Sequence, residues 1–367
     1  MVMISGAACG QGSGQKNPET TELIVGTYTD PGTSEGIYIF NFNEKDATFS
    51  AKDTISEVEN PSFLTIGKSN TLYAVNELGE GRGAVSAFTY DTDKSQLLNK
   101  VSSQGDAPCY VVTDRRNNYV FVSNYSGGSL SVFRTADDGS LAENIQHIQY
   151  EGSGPNKDRQ EAPHIHSSVF SPDEQFLLVQ DLGADRITVY PFSPGEPQPL
   201  QSANAMTVST PAGRGPRHIS FSSDGRFVYV VAELTSSVLV YSFNKGEMNL
   251  LEELHLLPKE AEGREGAADI HFSPDGRFLY ASNRGSANEL TTFEVNQKTG
   301  QLKEIGKQAV MGEGPRNFAI TPNGKYLLVA NQKSNEIVIF ERHVMNGLLN
   351  DTGRRISVSQ PVCLLIR

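Results

Sequence analysis

The chain has 367 residues, of which 37% are hydrophobic and 20% charged. That balance suits a soluble protein with a sizeable core, and no apolar run approaches the roughly 18 residues that span a membrane. A net charge of −12 repels phosphate backbones and anionic lipid at long range, which argues against general nucleic-acid or membrane-surface binding.

The first twenty residues read as a leader. MVMISGAAC is followed by a polar Gly/Ser/Gln stretch, similar to the tail of an export signal ending at a small-residue cleavage site, with Cys9 placed as a lipidated residue would be. The absence of a basic start and the short apolar part fit a disordered leader equally well. Cys109 and Cys363 lie in strand-like apolar contexts and read as buried structural thiols; three scattered cysteines are too few for a disulfide framework or a zinc site.

From Thr21 to Phe42 the pattern is that of two strands with no partner before them. A repeat then begins at Asn60 and recurs at Ala107, Ala162, Gly215, Ala268 and Gly314. Its form is clearest in GPRHISFSSDGRFVYVVAELTSSVLVYSF, Gly215 to Phe243. A strand opens near a proline, an SSDG turn follows, and two further strands are separated by a polar turn. The SPDG-type tetrapeptides carry the residues of tight hairpin turns. Runs such as Tyr326-Leu327-Leu328-Val329 predict strands packed on both faces. Asn43 to Asp53 and Glu247 to His255 are expected as outermost strands, while Asn156 to Gln160 and Pro258 to Gly266 are polar insertions that could rim one face.

Six complete copies run from Asn60 to about Arg342. The chain ends on QPVCLLIR, Gln360 to Arg367, which matches only an opening strand. Joined to the incomplete start, it makes a seventh unit. Repeats of this length are four-stranded blades, and such a joint removes the open edges of an unfinished sheet. The expectation is an all-β, seven-bladed β-propeller over residues 21–367, its first blade closed by the C-terminal strand.

In a propeller the opening strands line the channel, so their starts and the ends of the second strands converge on one rim. Read off the repeats, the starts supply His164, His166, Arg217, His218, Asp269, His271, Arg316 and Asn317. The ends supply Asn76, Glu77, Asn124, Tyr125, Asp181, Glu233, Asn283, Arg284, Asn331 and Gln332. Arginine forks bind carboxylate or phosphate, and a glutamate or histidine beside them could move a proton. A small anionic substrate is therefore the expected partner, with Glu233, His166, Arg217 and Arg284 as candidate catalytic residues. His164, His218, His271, Glu77, Asn124, Asn283, Arg316 and Gln332 are the candidate substrate contacts. His164, His166 and Glu233 give only a weak metal signal, and no metal or cofactor is expected. His147, His255 and His343 read as solvated surface residues.

At these residues the sequence resembles the propeller-type 6-phosphogluconolactonase family, which also includes the fungal 3-carboxy-cis,cis-muconate lactonizing enzymes. The likeness runs from about Thr21 onward and is most specific in GPRH (Gly215 to His218), VAEL (Val231 to Leu234), AADIHFSPDGR (Ala267 to Arg277), Asn283-Arg284 and QKSNEI (Gln332 to Ile337). It implies an active-site set of His166, Arg217, Glu233 and Arg284. It also implies hydrolysis of a phosphorylated sugar lactone, with Glu233 or His166 as general base and the arginines holding phosphate and oxyanion. A carboxymuconate-type cycloisomerase and a non-catalytic exported binding propeller are the alternatives. The resemblance implies a cytoplasmic location, whereas the leader ending at Cys9 suits a periplasmic or lipid-anchored one.

Overall fold

The computed structural model describes residues 20–68, 70–90, 94–258 and 266–367. The leader, Cys9 included, and most of the second polar insertion lie outside them. The described residues form seven four-stranded antiparallel sheets, which we number as blades in order around the ring. Blade 1 combines Pro361–Ile366 with Thr20–Thr27, Gly36–Asn43 and Thr48–Ser56. Its joint is a continuous ladder, Leu23 pairing Ile366 and Gly26 pairing Cys363. The ring is thus closed by hydrogen bonds between the two ends of the chain, and the inner edge of Thr20–Thr27 is covered.

Second strands show why the runs are apolar throughout. Thr71–Asn76, Tyr119–Asn124, Phe227–Ala232, Phe278–Asn283 and Tyr326–Asn331 are buried at every position, because each face meets a neighbouring blade. The core is accordingly divided into clusters between blades, such as Tyr229, Val231, Val240, Leu279 and Phe293 between blades 5 and 6. Outermost strands are largely solvated; Thr48–Ser56 starts later and ends later than the sequence pattern suggested, and Glu247–His255 matches it.

Blades are also tied by a repeated polar device. Tyr73, Tyr229 and Tyr280 donate their hydroxyls to the carbonyls of Gly139, Gly300 and Gly347 in the next blade, at 2.8, 2.8 and 2.7 Å. Gly300 has φ +76°, and a Cβ there would lie 2.4 Å from the Phe227 ring, so the turn requires glycine for both conformation and space. The SPDG-type turns lie at the opposite ends of the strands from the arginine-bearing positions. There Ser222 and Ser273 hydroxyls bond Asp224 and Asp275 at 2.7 and 2.5 Å, which is ordinary hairpin chemistry.

Candidate active site

Opening strands carry an irregularity near their first residues, for example between Pro216 and His218 and between Pro315 and Asn317. The residue in this position follows the opening proline in most blades and Ile165 in blade 4, and it lies beside the residue that follows the second strand. Those two positions, taken round the ring, carry the polar cluster. The first set includes Ser62, Cys109, His166, Arg217 and Arg316. The second is Tyr28, Glu77, Tyr125, Leu182, Glu233, Arg284 and Gln332.

Glu233 is its centre. One carboxylate oxygen lies 2.8 Å from Arg217 Nε and 3.1 Å from Arg284 Nη2, and the other lies 2.7 Å from Arg159 Nη2. Burial opposes its charge, but Arg284, Arg217 and Arg159 outweigh that and hold the carboxyl far below the usual carboxylate range. Arg217 is almost wholly buried and donates to the Ala268 carbonyl. Its Nε–H has no aligned acceptor, so its attraction to Glu233 is Coulombic more than a directed hydrogen bond. Burial and then the like charge of Arg284 lower it to about 10, which leaves it a cation at neutral pH. Arg284 Nε donates to the Gly266 carbonyl at 3.0 Å.

His166 is buried with its Nδ1 3.9 Å from Cys109 Sγ and its ring 5.3 Å from that of His218. Burial first, then Arg217 and His218, push its pKa well below the ordinary histidine value. The imidazole is neutral at pH 7 and able to accept a proton. His218 is oriented by Asp269, 2.8 Å from Nδ1; burial and Arg217 lower it to about 4. Asp269 also receives His271 Nε2 at 2.8 Å and Asn317 Nδ2 at 2.5 Å. Burial works against ionised Asp269, yet His271 and His218 keep it well below the usual range. Burial likewise disfavours charged His271, but Asp269 outweighs it and raises its pKa.

A second pole faces the first. Tyr28 donates to Glu77 at 2.8 Å and receives Arg316 Nη2 at 2.9 Å, with that guanidinium 5.3 Å over its ring. Ser62 completes the Glu77 contacts. Beneath both poles Phe63 stacks on Tyr110 at 4.1 Å, and His218 meets the two rings at 5.8 and 5.5 Å. Phe63 and His218 come from blades 2 and 5, which are not neighbours. Their contact lies across the axis, so these rings obstruct the channel there.

The structure therefore draws Glu233, Arg217, Arg284 and His166 together, with Arg316, Glu77 and His218 around them. Asn124 and Asn283 do not join them. Each ends its second strand with a fully buried side chain, Asn124 Nδ2 bonding Ser103 O and Ser129 Oγ at 3.3 and 3.1 Å and Asn283 accepting from Ser236 Oγ at 3.2 Å. Because side chains alternate along a strand, the last residue points between blades and the next one into the channel. Gln332 occupies the latter position. His164 precedes its strand, and so does not share a face with His166 in a regular His-x-His pattern. It stacks on Tyr125 at 4.5 Å, with its Nε2 3.1 Å from Glu161. His271 belongs to the deeper Asp269 cluster. Tyr28 and Arg159 were not among the sequence candidates. Tyr28 follows the first complete second strand as Glu233 does, a parity that would have revealed it. Arg159 lies in the Asn156–Gln160 insertion, outside the repeat.

The model of the lactonase family with a seven-bladed β-propeller matches residues 22–366. The chain belongs to the seven-bladed propeller lactonases. Among curated lactonase relatives, the 6-phosphogluconolactonase of Formosa agariphila is 36% identical over 342 residues, 92% of this chain and 97% of the relative. That of Bacillus subtilis is 33% identical, covering 93% and 96%. A solved lactonase structure, the periplasmic gluconolactonase of Pseudomonas aeruginosa, superposes with a TM-score of 0.89 at 37% identity, covering 95% of this chain and 99% of that one.

Proposed function

We propose that this lactonase opens a sugar lactone to its aldonic acid, with 6-phosphogluconolactone as substrate. The observation that carries the reading is the surplus of guanidinium groups around one carboxylate, set beside a neutral histidine. Three arginines share Glu233, so an anion entering this mouth meets net positive charge. His166 takes a proton from water as its oxygen bonds to the lactone carbonyl carbon. Arg217 or Arg284 stabilises the oxyanion. The ring C–O bond then breaks, and the leaving ring oxygen recovers the proton from the imidazolium. Glu233 fits poorly as the base, since a carboxylate held ionised by three cations has little affinity for a proton; its role here is to align the arginines. The lactone is reactive, so assistance on the order of 10² to 10⁴ is enough.

Acid release from 6-phosphogluconolactone in weak buffer tests this, with Arg217→Ala as control. No rate above the spontaneous reaction for the unaltered chain would end the proposal. The Pseudomonas aeruginosa relative and the leader favour a second reading, an unphosphorylated gluconolactone opened outside the cytoplasm. In that reading residues 1–20 are an export leader and Cys9 a lipidated residue, beyond which residues 21–367 form a single propeller domain. Incorporation of labelled palmitate that is lost in Cys9→Ala would support it, and a fully aqueous, unlabelled product would count against it.

A further inference from the structure

The geometry points to Arg159 as the residue that selects the anionic end of the substrate, by taking a phosphate carried on the carbon furthest from the lactone carbonyl. This rests on the lactonase reading above and adds to it a determinant of which lactone is preferred.

The three guanidinium groups on Glu233 form a series in depth. Their side chains are 2%, 20% and 43% exposed for Arg217, Arg284 and Arg159. The two deeper ones also donate to backbone carbonyls, of Ala268 and Gly266, and are fixed to the scaffold. Arg159 uses one nitrogen, Nη2, for both of its contacts, Glu233 Oε1 at 2.7 Å and Tyr125 OH at 3.2 Å. Among the described residues its Nε and Nη1 have no acceptor. A phosphate at the outer edge of the mouth can therefore be met by free donors in fork geometry, which suits guanidinium better than ammonium.

The segment that carries Arg159 is built to hold it there. The adjoining Gln160 is fully buried and donates from Nε2 to Leu182 O at 2.9 Å, while its backbone N–H bonds Asn156 O at 2.7 Å. A Cβ on Gly154 would come 2.5 Å from the Gln160 amide, so this anchor is closely packed. Tyr125, the other partner of Arg159, is braced by the stacked His164 ring. Charge completes the argument. Glu233 neutralises one of the three arginines, Glu77 is already engaged by Tyr28 and Ser62, and Glu161, whose charge also reaches Arg159, is turned to His164 Nε2 at 3.1 Å. Among the described residues the three guanidinium groups outnumber the one carboxylate that contacts them, and a phosphate dianion supplies the missing charge.

The test compares kcat/KM for 6-phosphogluconolactone and gluconolactone in the full chain and in Arg159→Gln and Arg159→Lys, with thermal melts to verify folding. A charge-assisted phosphate contact corresponds to a preference of about 10- to 100-fold. Arg159→Gln is expected to lower the phosphorylated-to-unphosphorylated ratio by that factor, and Arg159→Lys by less. A ratio within about threefold of the parent (~0.65 kcal/mol by the same conversion) overturns the inference, including the case where both rates fall together, as they would if Arg159 merely latched its loop. If the parent chain opens neither lactone, the proposed reaction fails and binding decides the inference. A melting temperature raised by 6-phosphogluconate more than by gluconate, with the difference lost in Arg159→Gln, sustains it; an equal response in both proteins refutes it.

Discussion

Glu233→Gln is the substitution for which the structure fixes the largest consequence. It keeps size and an acceptor oxygen but removes the single negative charge shared by Arg217, Arg284 and Arg159 at 2.8, 3.1 and 2.7 Å. Breaking a buried ion pair from one side costs about 3–5 kcal/mol, because the remaining charge stays desolvated. Arg217 is buried and suffers this in full, whereas Arg284 and Arg159 retain access to water, so the lower end, about 3 kcal/mol, is appropriate. A ring of this size unfolds with an entropy near ~0.7 kcal/mol per kelvin, which converts that loss into a melting point about 4 °C lower. The carboxylate is ionised far below its usual range, so its stabilisation is present above the unfolded glutamate pKa and is lost as pH falls through the depressed folded value. Hence the gap between variant and parent is expected to be constant from pH 8 to pH 5 and to narrow only in stronger acid. Anions should partly rescue the variant. A phosphate ligand at about 100 times its Kd returns about 2.7 kcal/mol, and the gain should exceed that seen for the parent in the same buffer. Melting by circular dichroism across pH and phosphate concentration reads all of this. A variant that melts within a degree of the parent at pH 7, with no added response to phosphate, would refute the view that Glu233 holds the arginines together.

Three further outcomes follow from the same geometry. His166 has its pKa pushed well below the ordinary value, so the base form persists as pH falls: kcat/KM should stay flat from pH 8 through 6.5 and decline only below it, and a midpoint near 6.5 or higher in the pH–rate profile would exclude His166 as the base. Tyr229→Phe leaves the Gly300 carbonyl without its buried donor and should cost about 1–3 kcal/mol in urea unfolding; Gly300→Ala should cost more, given its positive φ and the Phe227 contact, and the reverse order would contradict the account of blade interlocking. Deleting residues 360–367 removes the ladder that joins the chain ends together with the buried Val362, Cys363 and Leu364; the truncated chain should be recovered as aggregate, and a soluble protein with a parent-like melt would show that the ring does not depend on this closure.

Much of the architecture could be read from the amino-acid order alone. Repeated turn tetrapeptides and apolar runs disclose the blades, and the match of QPVCLLIR to the opening strand that the start of the chain lacks discloses the closure, because both are local patterns with a fixed period. The convergence of Arg217, His166, Glu233 and Arg284 was legible for the same reason, since equivalent positions in a ring must share a rim. Folding decided finer matters. Whether Asn283 or Arg284 enters the channel depends on side-chain parity at the strand end, and the extra residue in opening strands, such as Arg217 and Arg316, shifts the parity of those strands at the same rim. Tyr28 gained its place by that parity, and Asn124 and Asn283 went between the blades by it. Arg159 stands in no repeat at all, so no periodicity could locate it. Only the packing of buried Gln160 against Leu182 sets it beside Glu233, a contact between neighbouring blades that no repeat spacing predicts.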